Sequence, residues 1–359
     1  MRGARGEGRG AREVQGSKSK RGDRCSANVS AALVKALLLV VLLASPTFAY
    51  LKLGVHIGDQ TIALRWQELP VRYFVSDQGV PGVTPTDLDG AVQRAARAWE
   101  DVPTASITFA RAGFTASLPG EEDGMSTLGF EDRPELERVL GATSITVDTV
   151  TGEILEADIF FNAAFPWTTA SGGEPGRFDL ESIALHELGH LTGLSHSALG
   201  ETELVHGGGR RVLGAGAVMF PIAFSPGNID GRRPMADDIA GLSDLYPAGD
   251  FRRRTGSVSG RITKDGRGVF GAHVTAFNLR TRQLVGNFSL SDDGGFVIAG
   301  VDAGPCLLRV EPLDDGDLDS FFDETDRVDV DFLAAVHTKL ANVQAGSDTG
   351  EIRISVRAR

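Results

Sequence analysis

Cysteine is nearly absent from this 359-residue sequence, which contains only Cys25 and Cys306. Two cysteines exclude the disulfide-rich frameworks that staple many small extracellular domains. Cys306 begins a short apolar run, which is typical of a small buried thiol and not of a reactive one. Because 42% of the residues are hydrophobic, the chain can bury a sizeable core without such staples, and its length allows two domains.

Long apolar runs are also scarce. The run from Ala31 to Ala44, interrupted by Lys35, is too short to span a bilayer comfortably. Eight Lys or Arg residues occur within the first 24 positions, and the small residues Thr47 and Ala49 follow the run. This order is typical of a signal peptide, so we predict that residues 1–49 are removed and that the remainder is secreted, periplasmic or held at the cell surface. An uncleaved membrane anchor is the alternative.

Basic residues are outnumbered in the remainder of the chain. Without residues 1–49, 27 Lys and Arg face 45 Asp and Glu, a net charge of −18, and Cys306 has no partner cysteine. Such an acidic surface repels phosphate backbones and anionic lipid. We therefore expect neither nucleic-acid binding nor a role at a membrane surface once the signal is cleaved.

The first half of the remaining chain alternates between strand and helix patterns. Apolar alternation predicts strands at 69–76 and 105–113, and a hairpin over 142–162 around a Thr-Gly turn. Apolar residues at helical spacing predict three helices. The first spans 87–101 and is capped by Thr86, and the second runs from the cap Asp179 to Gly193. The third spans 235–246 and ends before Pro247. The composition of residues 250–255 is that of a linker. We place one domain at 50–249.

Residues 256–359 have a different hydrophobic pattern from the rest of the chain. Short alternating runs separated by turns predict an all-β sandwich for this second domain.

The segment HELGHLTGLSH, residues 186–196, carries the clearest chemical signal. His186 and His190 are four residues apart, so on a helix both imidazoles project from one face. Gly193 can adopt a positive φ, which would turn the chain so that His196 approaches the same point. Three neutral imidazoles leave one coordination position open, as in catalytic zinc sites. The competing interpretation is a chance pattern on a solvated helix face.

Glu187 neighbours a predicted ligand but is rotated off the ligand face. Its carboxylate could therefore accept a proton from water activated by Zn²⁺ and later deliver it to a leaving amine. We interpret Glu187 as the general base of a hydrolase.

With the downstream segment AVMFP, the chain resembles the metzincin metallopeptidases, and the matrixins in particular. That resemblance implies an α+β, zincin-like catalytic domain with a twisted mixed sheet and three helices. It places Met219 and Pro221 in a turn beneath one catalytic zinc, although a methionine can also simply fill a core. Families with a tyrosine ligand have Tyr at the position of Pro221, so Tyr246 is not expected to bind metal.

The resemblance covers about residues 64–247, including DDIAGLSDLYP near its end. It implies that Asp237 and Asp238 brace the methionine turn; an ordinary exposed helix start is the alternative. It also implies that Ala142–Val147 is the sheet edge that pairs with an extended peptide. The insert 200–214 is expected to shape the rim of the cleft, with His206 as a solvated loop residue.

The sequence departs from the matrixin pattern at three positions. Phe160 stands where matrixins place a histidine for a second, structural zinc, so we expect that zinc to be absent. Asn162 and Phe165 replace acidic residues that bind calcium, which leaves Ca²⁺ binding doubtful.

The second domain resembles the small β-sandwich domains related to the carboxypeptidase regulatory domain, through its Asp-Gly turns and GAxV strand. Its acidic segment 313–331 suggests calcium, but Ser320 stands where a helix-loop-helix calcium site needs Gly. We predict a solvated loop there.

These features lead to the hypothesis of a secreted zinc endopeptidase that acts as a monomer on proteins or peptides. Two alternatives stay open. The chain could be a non-catalytic zinc protein whose β-sandwich binds or adheres, or a peptidase restricted to one processing partner.

Overall fold

A computed structural model describes residues 52–57, 60–206, 209–323 and 325–359. The predicted signal peptide and Cys25 lie outside the described residues. Within those ranges, no helix is long and apolar enough to cross a lipid bilayer.

The described residues up to position 249 form eleven strands and three helices. In chain order these are β1 (Gly54–Ile57), β2 (Gln60–Ala63), β3 (Val71–Ser76), α1 (Pro85–Glu100), β4 (Phe109–Thr115), β5 (Thr127–Glu131), β6 (Gly141–Val147), β7 (Ile154–Asn162), β8 (Trp167–Thr168), β9 (Phe178–Asp179), α2 (Leu180–Leu191), β10 (Gly200–Leu204), β11 (Arg210–Ala215) and α3 (Ala236–Leu245).

A five-stranded mixed sheet lies at the centre of this part, in the order β4-β3-β5-β7-β6. All neighbouring pairs are parallel except β6 and β7, which are antiparallel. The predicted hairpin is thus confirmed, and Gly152 turns it with a φ of +72°. Because β6 is last in the order, one of its edges lacks a partner strand within the described residues.

Helix α1 buries the face that the sequence predicted, from Leu88 to Trp99. The indole Nε1–H of Trp99 donates to the carbonyl of Leu185 on α2, at 2.9 Å. The prediction that Thr86 caps this helix is wrong. Thr84 is the cap: Pro85 occupies the first helical position, and the Thr84 hydroxyl accepts from the amide of Asp87.

The insert between the histidine motif of residues 186–196 and Met219 is more regular than its glycine-rich sequence suggests. Strands β10 and β11 pair antiparallel from Gly200–Ala215 to Leu204–Arg210. The insert therefore forms a hairpin, and His206 is exposed at its end.

The described residues of the C-terminal β region, 255–323 and 325–359, form nine strands. These are β12 (Thr255–Lys264), β13 (Arg267–Gly268), β14 (His273–Asn278), β15 (Leu284–Phe288), β16 (Gly295–Asp302), β17 (Gly304–Glu311), β18 (Ala335–Val336), β19 (Ala341–Val343) and β20 (Asp348–Val356). A one-turn helix, α4 (Phe251–Arg254), precedes them where a linker was predicted, and a 3₁₀ turn spans Leu318–Ser320.

Two sheets make up this region. One has the order β13-β12-β16 with β20 also paired to β12, and the other β15-β14-β17-β18 with β19 also paired to β17. Buried side chains from both sheets, such as Ile298 and Leu308, form one apolar cluster, so the sheets share a core. Cys306 is fully buried there, and burial raises the pKa of its thiol to about 11.

Helix α3 joins the two parts of the chain. Its Ala240 belongs to the apolar cluster of the C-terminal β region, and Asp237 Oδ1 accepts the backbone N–H of Gly286 on β15 at 2.9 Å. Residues from both parts therefore reach the region around α2 and α3 where the predicted site lies.

Candidate metal centre

Three imidazoles converge at the end of α2. His186 and His190 lie one turn apart on the helix, and His196 returns to them after the chain leaves it. The Nε2 atom of His190 is 3.1 Å from that of His186 and 3.2 Å from that of His196. Each residue thus offers a nitrogen to one point in space.

The opposite nitrogen of each ring is held by a backbone carbonyl. His186 Nδ1 lies 2.8 Å from the oxygen of Val218, and His190 Nδ1 lies 2.9 Å from that of Leu194. His196 Nδ1 lies 2.6 Å from the oxygen of Ser320. Because a carbonyl only accepts, Nδ1 carries the proton in each ring and the Nε2 lone pairs face one another.

This donor set fits Zn²⁺. Neutral imidazole nitrogen is a preferred zinc ligand, and tetrahedral zinc places its ligand atoms about 3.3 Å apart, close to the spacing observed. Burial and the neighbouring imidazole of His196 lower the pKa of His186 to about 3, and burial lowers the pKa values of His190 and His196 as well. The rings are thus held neutral, and three lone pairs so close together repel one another unless a cation lies among them.

The turn after α2 depends on Gly193. This residue has a φ of +99°, and a Cβ there would lie 2.2 Å from the carbonyl oxygen of Leu64. An L-residue with a side chain would be strained both by the positive φ and by this close contact. The sharp exit lets Leu194 reach the ring of His190 and brings His196 back towards α2.

Glu187 is buried beside the imidazoles, with 4% of its surface exposed. Its Oε2 accepts a hydrogen bond of 2.8 Å from the hydroxyl of Thr143 on β6. Burial raises the pKa of the Glu187 carboxyl to about 7, partly offset by that hydrogen bond. A carboxyl in this state can both accept and donate a proton near neutral pH.

Met219 packs against α2 at Gly189. A Cβ added to Gly189, between His186 and His190 in the sequence of α2, would be 2.2 Å from the Met219 sulfur and 3.1 Å from Trp99. The amide of Ser197 donates to the Met219 carbonyl at 2.9 Å. The methionine therefore contacts the helix that carries His186 and His190. It is also hydrogen-bonded to Ser197, the residue that follows His196.

Asp238 holds the turn that contains Met219. Its carboxylate accepts the backbone N–H groups of Val218, Met219 and Met235 at 2.8, 3.1 and 2.7 Å. Burial raises the pKa of Asp238 to about 6, partly offset by these bonds.

Asp237 links the site to the C-terminal β region. Its Oδ2 accepts from the hydroxyl of Ser197 at 2.6 Å, and its Oδ1 accepts from Gly286. Burial raises the pKa of Asp237 to about 7. Both acids are almost fully buried, so the alternative of an exposed helix start is wrong.

A cleft of about 920 Å³ opens over the three imidazoles and Glu187. Its walls include the start of β6, Pro221 beyond the methionine turn, and Arg210 of the insert hairpin. Asp317, Asp319 and Ser320 of the C-terminal β region also line it. Tyr246 lies elsewhere: its hydroxyl donates to the carbonyl of Thr192 at 2.8 Å.

Two of the positions where the sequence departs from matrixins have structural roles. The amide of Asn162 donates to the carbonyls of Arg133, Leu136 and Val139, and its oxygen accepts from Ala164. The guanidinium of Arg133 lies 5.7 Å from the ring centre of Phe160. Asn162 thus organises the loop before β6, and the calcium prediction stays a prediction.

Sequence reasoning missed several residues of the site. Nothing in the pattern of β6 marked Thr143 as a partner of Glu187. Gly189 lay inside the motif without a role. The acidic segment was predicted to be a solvated loop, which is wrong for Leu313 and Phe321, since both are buried. Only the apolar pair Phe321-Phe322 amid the acids could have suggested a packed segment.

Comparison with known proteins gives a family match and similarity to individual proteins. Residues 65–206 match the family model described as Matrixin. Stromelysin-1 of Mus musculus is 25% identical over 183 residues, 51% of this chain and 33% of stromelysin-1, so the chain spans about a third of that relative. A solved structure of the Bacillus anthracis TIE protein is 15% identical with a TM-score of 0.19, covering 29% of this chain and 17% of that one. The family match shows that this chain contains a matrixin-like domain.

Proposed function

We propose that this chain is an exported zinc-dependent endopeptidase. The convergence of three neutral Nε2 atoms beside the buried carboxyl of Glu187, at the floor of one cleft, carries the proposal. The match to the Matrixin model supports a protease of this chemical class and a protein or peptide substrate. Export rests on the sequence of residues 1–49, with a membrane-anchored form as the alternative.

The zinc ligands are His186, His190 and His196. Zinc, when bound there, supplies a Lewis acid that polarises a carbonyl oxygen and lowers the pKa of water towards neutrality. The carbonyls of Val218, Leu194 and Ser320 keep each Nδ1 protonated and fix the orientation of each ring.

Glu187 moves the protons. Because the Thr143 hydroxyl bonds Oε2, we assign proton transfer to Oε1, which faces Gly141 at the start of β6. Oε1 accepts a proton from water as the water oxygen bonds to the scissile carbonyl carbon. It then delivers that proton to the amine nitrogen as the carbon–nitrogen bond breaks.

Strand β6 holds the substrate. It is the last strand of the central sheet, and Gly141, Ala142 and Thr143 line the cleft. An extended peptide can pair with such an edge through its backbone, which places one carbonyl beside the imidazoles. This arrangement favours cleavage within a chain.

Substitution of Glu187 tests the proposal. We expect Glu187→Ala to bind one zinc per chain and to lose cleavage of a fluorogenic peptide library by at least about 100-fold. Glu181→Ala is the matched control, since Glu181 lies on the same helix but pairs with Arg94; its activity should equal that of the wild type. Undiminished cleavage by Glu187→Ala would refute the mechanism. A wild type that binds zinc but cleaves nothing would favour the non-catalytic alternative.

A further inference from the structure

One segment of the C-terminal β region reaches the metal centre. Residues 313–323 follow β17 and pack against the chain beyond His196. Leu313 and Phe321 are buried in a small apolar cluster with Ala198 and Phe288. The ring of Phe321 meets that of His196 edge-on, with centroids 6.1 Å apart.

The contact includes a hydrogen bond to a predicted ligand. The carbonyl of Ser320 accepts from His196 Nδ1 at 2.6 Å, across 124 residues of sequence. The equivalent acceptors for His186 and His190 are Val218 and Leu194, which lie 32 and 4 residues away. Only His196 among the three depends on the C-terminal β region for its orientation.

The insert hairpin also holds this segment, through polar contacts. Asp315 Oδ1 accepts the backbone N–H of Thr202 at 2.7 Å, and the Asp315 carbonyl accepts from the Thr202 hydroxyl at 2.9 Å. Arg210 donates to the carbonyl of Asp314 at 2.9 Å and lies 3.4 Å from Asp317 Oδ1. The carbonyl of Ser320 is thus fixed by an apolar anchor and by polar anchors.

We propose that residues 313–321 are positioning residues for His196, so that the C-terminal β region completes the zinc site of the matrixin-like domain. This inference rests on the proposed function. A carbonyl that bonds the far nitrogen of a ligating imidazole fixes both its tautomer and its direction, and loss of such a partner lowers metal affinity about 10- to 100-fold. Ser320 acts through its backbone, so its position depends on the anchors at Phe321 and Asp315.

Zinc affinity of the full chain, measured by competition with a chromogenic chelator, tests the proposal. We expect Phe321→Ala and Asp315→Ala each to weaken zinc binding by about 10- to 100-fold. The visible spectrum of the Co²⁺-substituted protein should change in both, because it reports the geometry of the ligands. Phe277→Ala removes a partly exposed ring from β14 of the same region and should match the wild type in both measurements.

The outcomes separate this inference from the proposed function. Wild-type zinc affinity and an unchanged cobalt spectrum in both loop variants would overturn the inference and leave the endopeptidase intact. Equal weakening in Phe277→Ala would also overturn it, because the effect would then be a general loss of stability. Circular dichroism of the zinc-free variants monitors folding, and if Phe321→Ala does not fold, Asp315→Ala decides. A wild type that binds no zinc would overturn both proposals.

Discussion

The hydroxyl of Thr143 donates to Oε2 of Glu187 across 2.8 Å, and also lies 3.1 Å from the Glu187 backbone carbonyl. These two residues are on different elements, the edge strand β6 and the helix α2. Because β6 is also the proposed substrate edge, one strand would both orient the proposed general base and hold the peptide beside it.

Removal of the Thr143 hydroxyl should therefore impair catalysis more than binding. A hydrogen bond to a charged group contributes about 1.5 to 3 kcal/mol, so we expect Thr143→Val to lower kcat by about 10- to 100-fold. KM and zinc content should change little. Thr143→Ser keeps the hydroxyl and should retain most of the activity. Steady-state kinetics on one peptide would count against this role if Thr143→Val kept the wild-type kcat.

Gly189 and Met219 should show strong coupling. A Cβ at position 189 would lie 2.2 Å from the sulfur, and such overpacking costs about 1 to 3 kcal/mol. We expect Gly189→Ala to lower the free energy of unfolding by that amount and to weaken zinc binding. In Met219→Ala the space is vacated, so adding Gly189→Ala there should cost much less.

Urea denaturation of the two single variants and the double variant measures this coupling. Gly172→Ala is the control, because a Cβ there meets no atom within 4 Å. Additive effects of the two substitutions would mean that the sulfur does not press on the helix.

The buried carboxyl of Asp237 should make the free energy of unfolding depend on pH. Burial raises its folded pKa from 3.8 to about 7, so the folded state binds more protons than the unfolded state between these values. Stability contributed by this group is therefore present at low pH and lost as the pH rises from about 4 to about 7. An uncharged Asn at this position can accept a hydrogen bond from the Gly286 amide and donate one to the hydroxyl oxygen of Ser197.

We accordingly expect Asp237→Asn to gain stability relative to the wild type as the pH rises, by on the order of a few kcal/mol at pH 8. The difference in unfolding free energy between variant and wild type at pH 4.5 and pH 8 is the measurement. Asp132→Asn alters an exposed carboxyl and should show no such trend. A difference independent of pH would mean that Asp237 is ionised at little cost.

Features set by nearby residues were predictable from the sequence. The Asp179 cap accepts from the amide of Ser182 as expected, and β6 and β7 form the predicted hairpin, because capping and strand alternation act over a few residues. The motif likewise indicated that His186 and His190 share a face. The helix cap at Thr84 was missed because two threonines and a proline stand close together and only the backbone decides between them.

Features set by distant segments were not predictable. The partner of His196 lies 124 residues away in an acidic stretch whose composition indicates solvent exposure. The burial of this stretch depends on the insert hairpin and on Ala198. No periodicity in residues 313–331 could reveal those contacts. Thr143 is a similar case: strand alternation predicted its element but not the carboxylate that it meets.

X-ray absorption at the zinc edge of the purified full chain tests the central claim most directly. We predict one zinc per chain with three imidazole nitrogens at about 2.0 to 2.1 Å and one further light atom. We also predict that His196→Ala loses one imidazole from this set. A zinc-free protein, or a spectrum that His196→Ala leaves unchanged, would contradict the account.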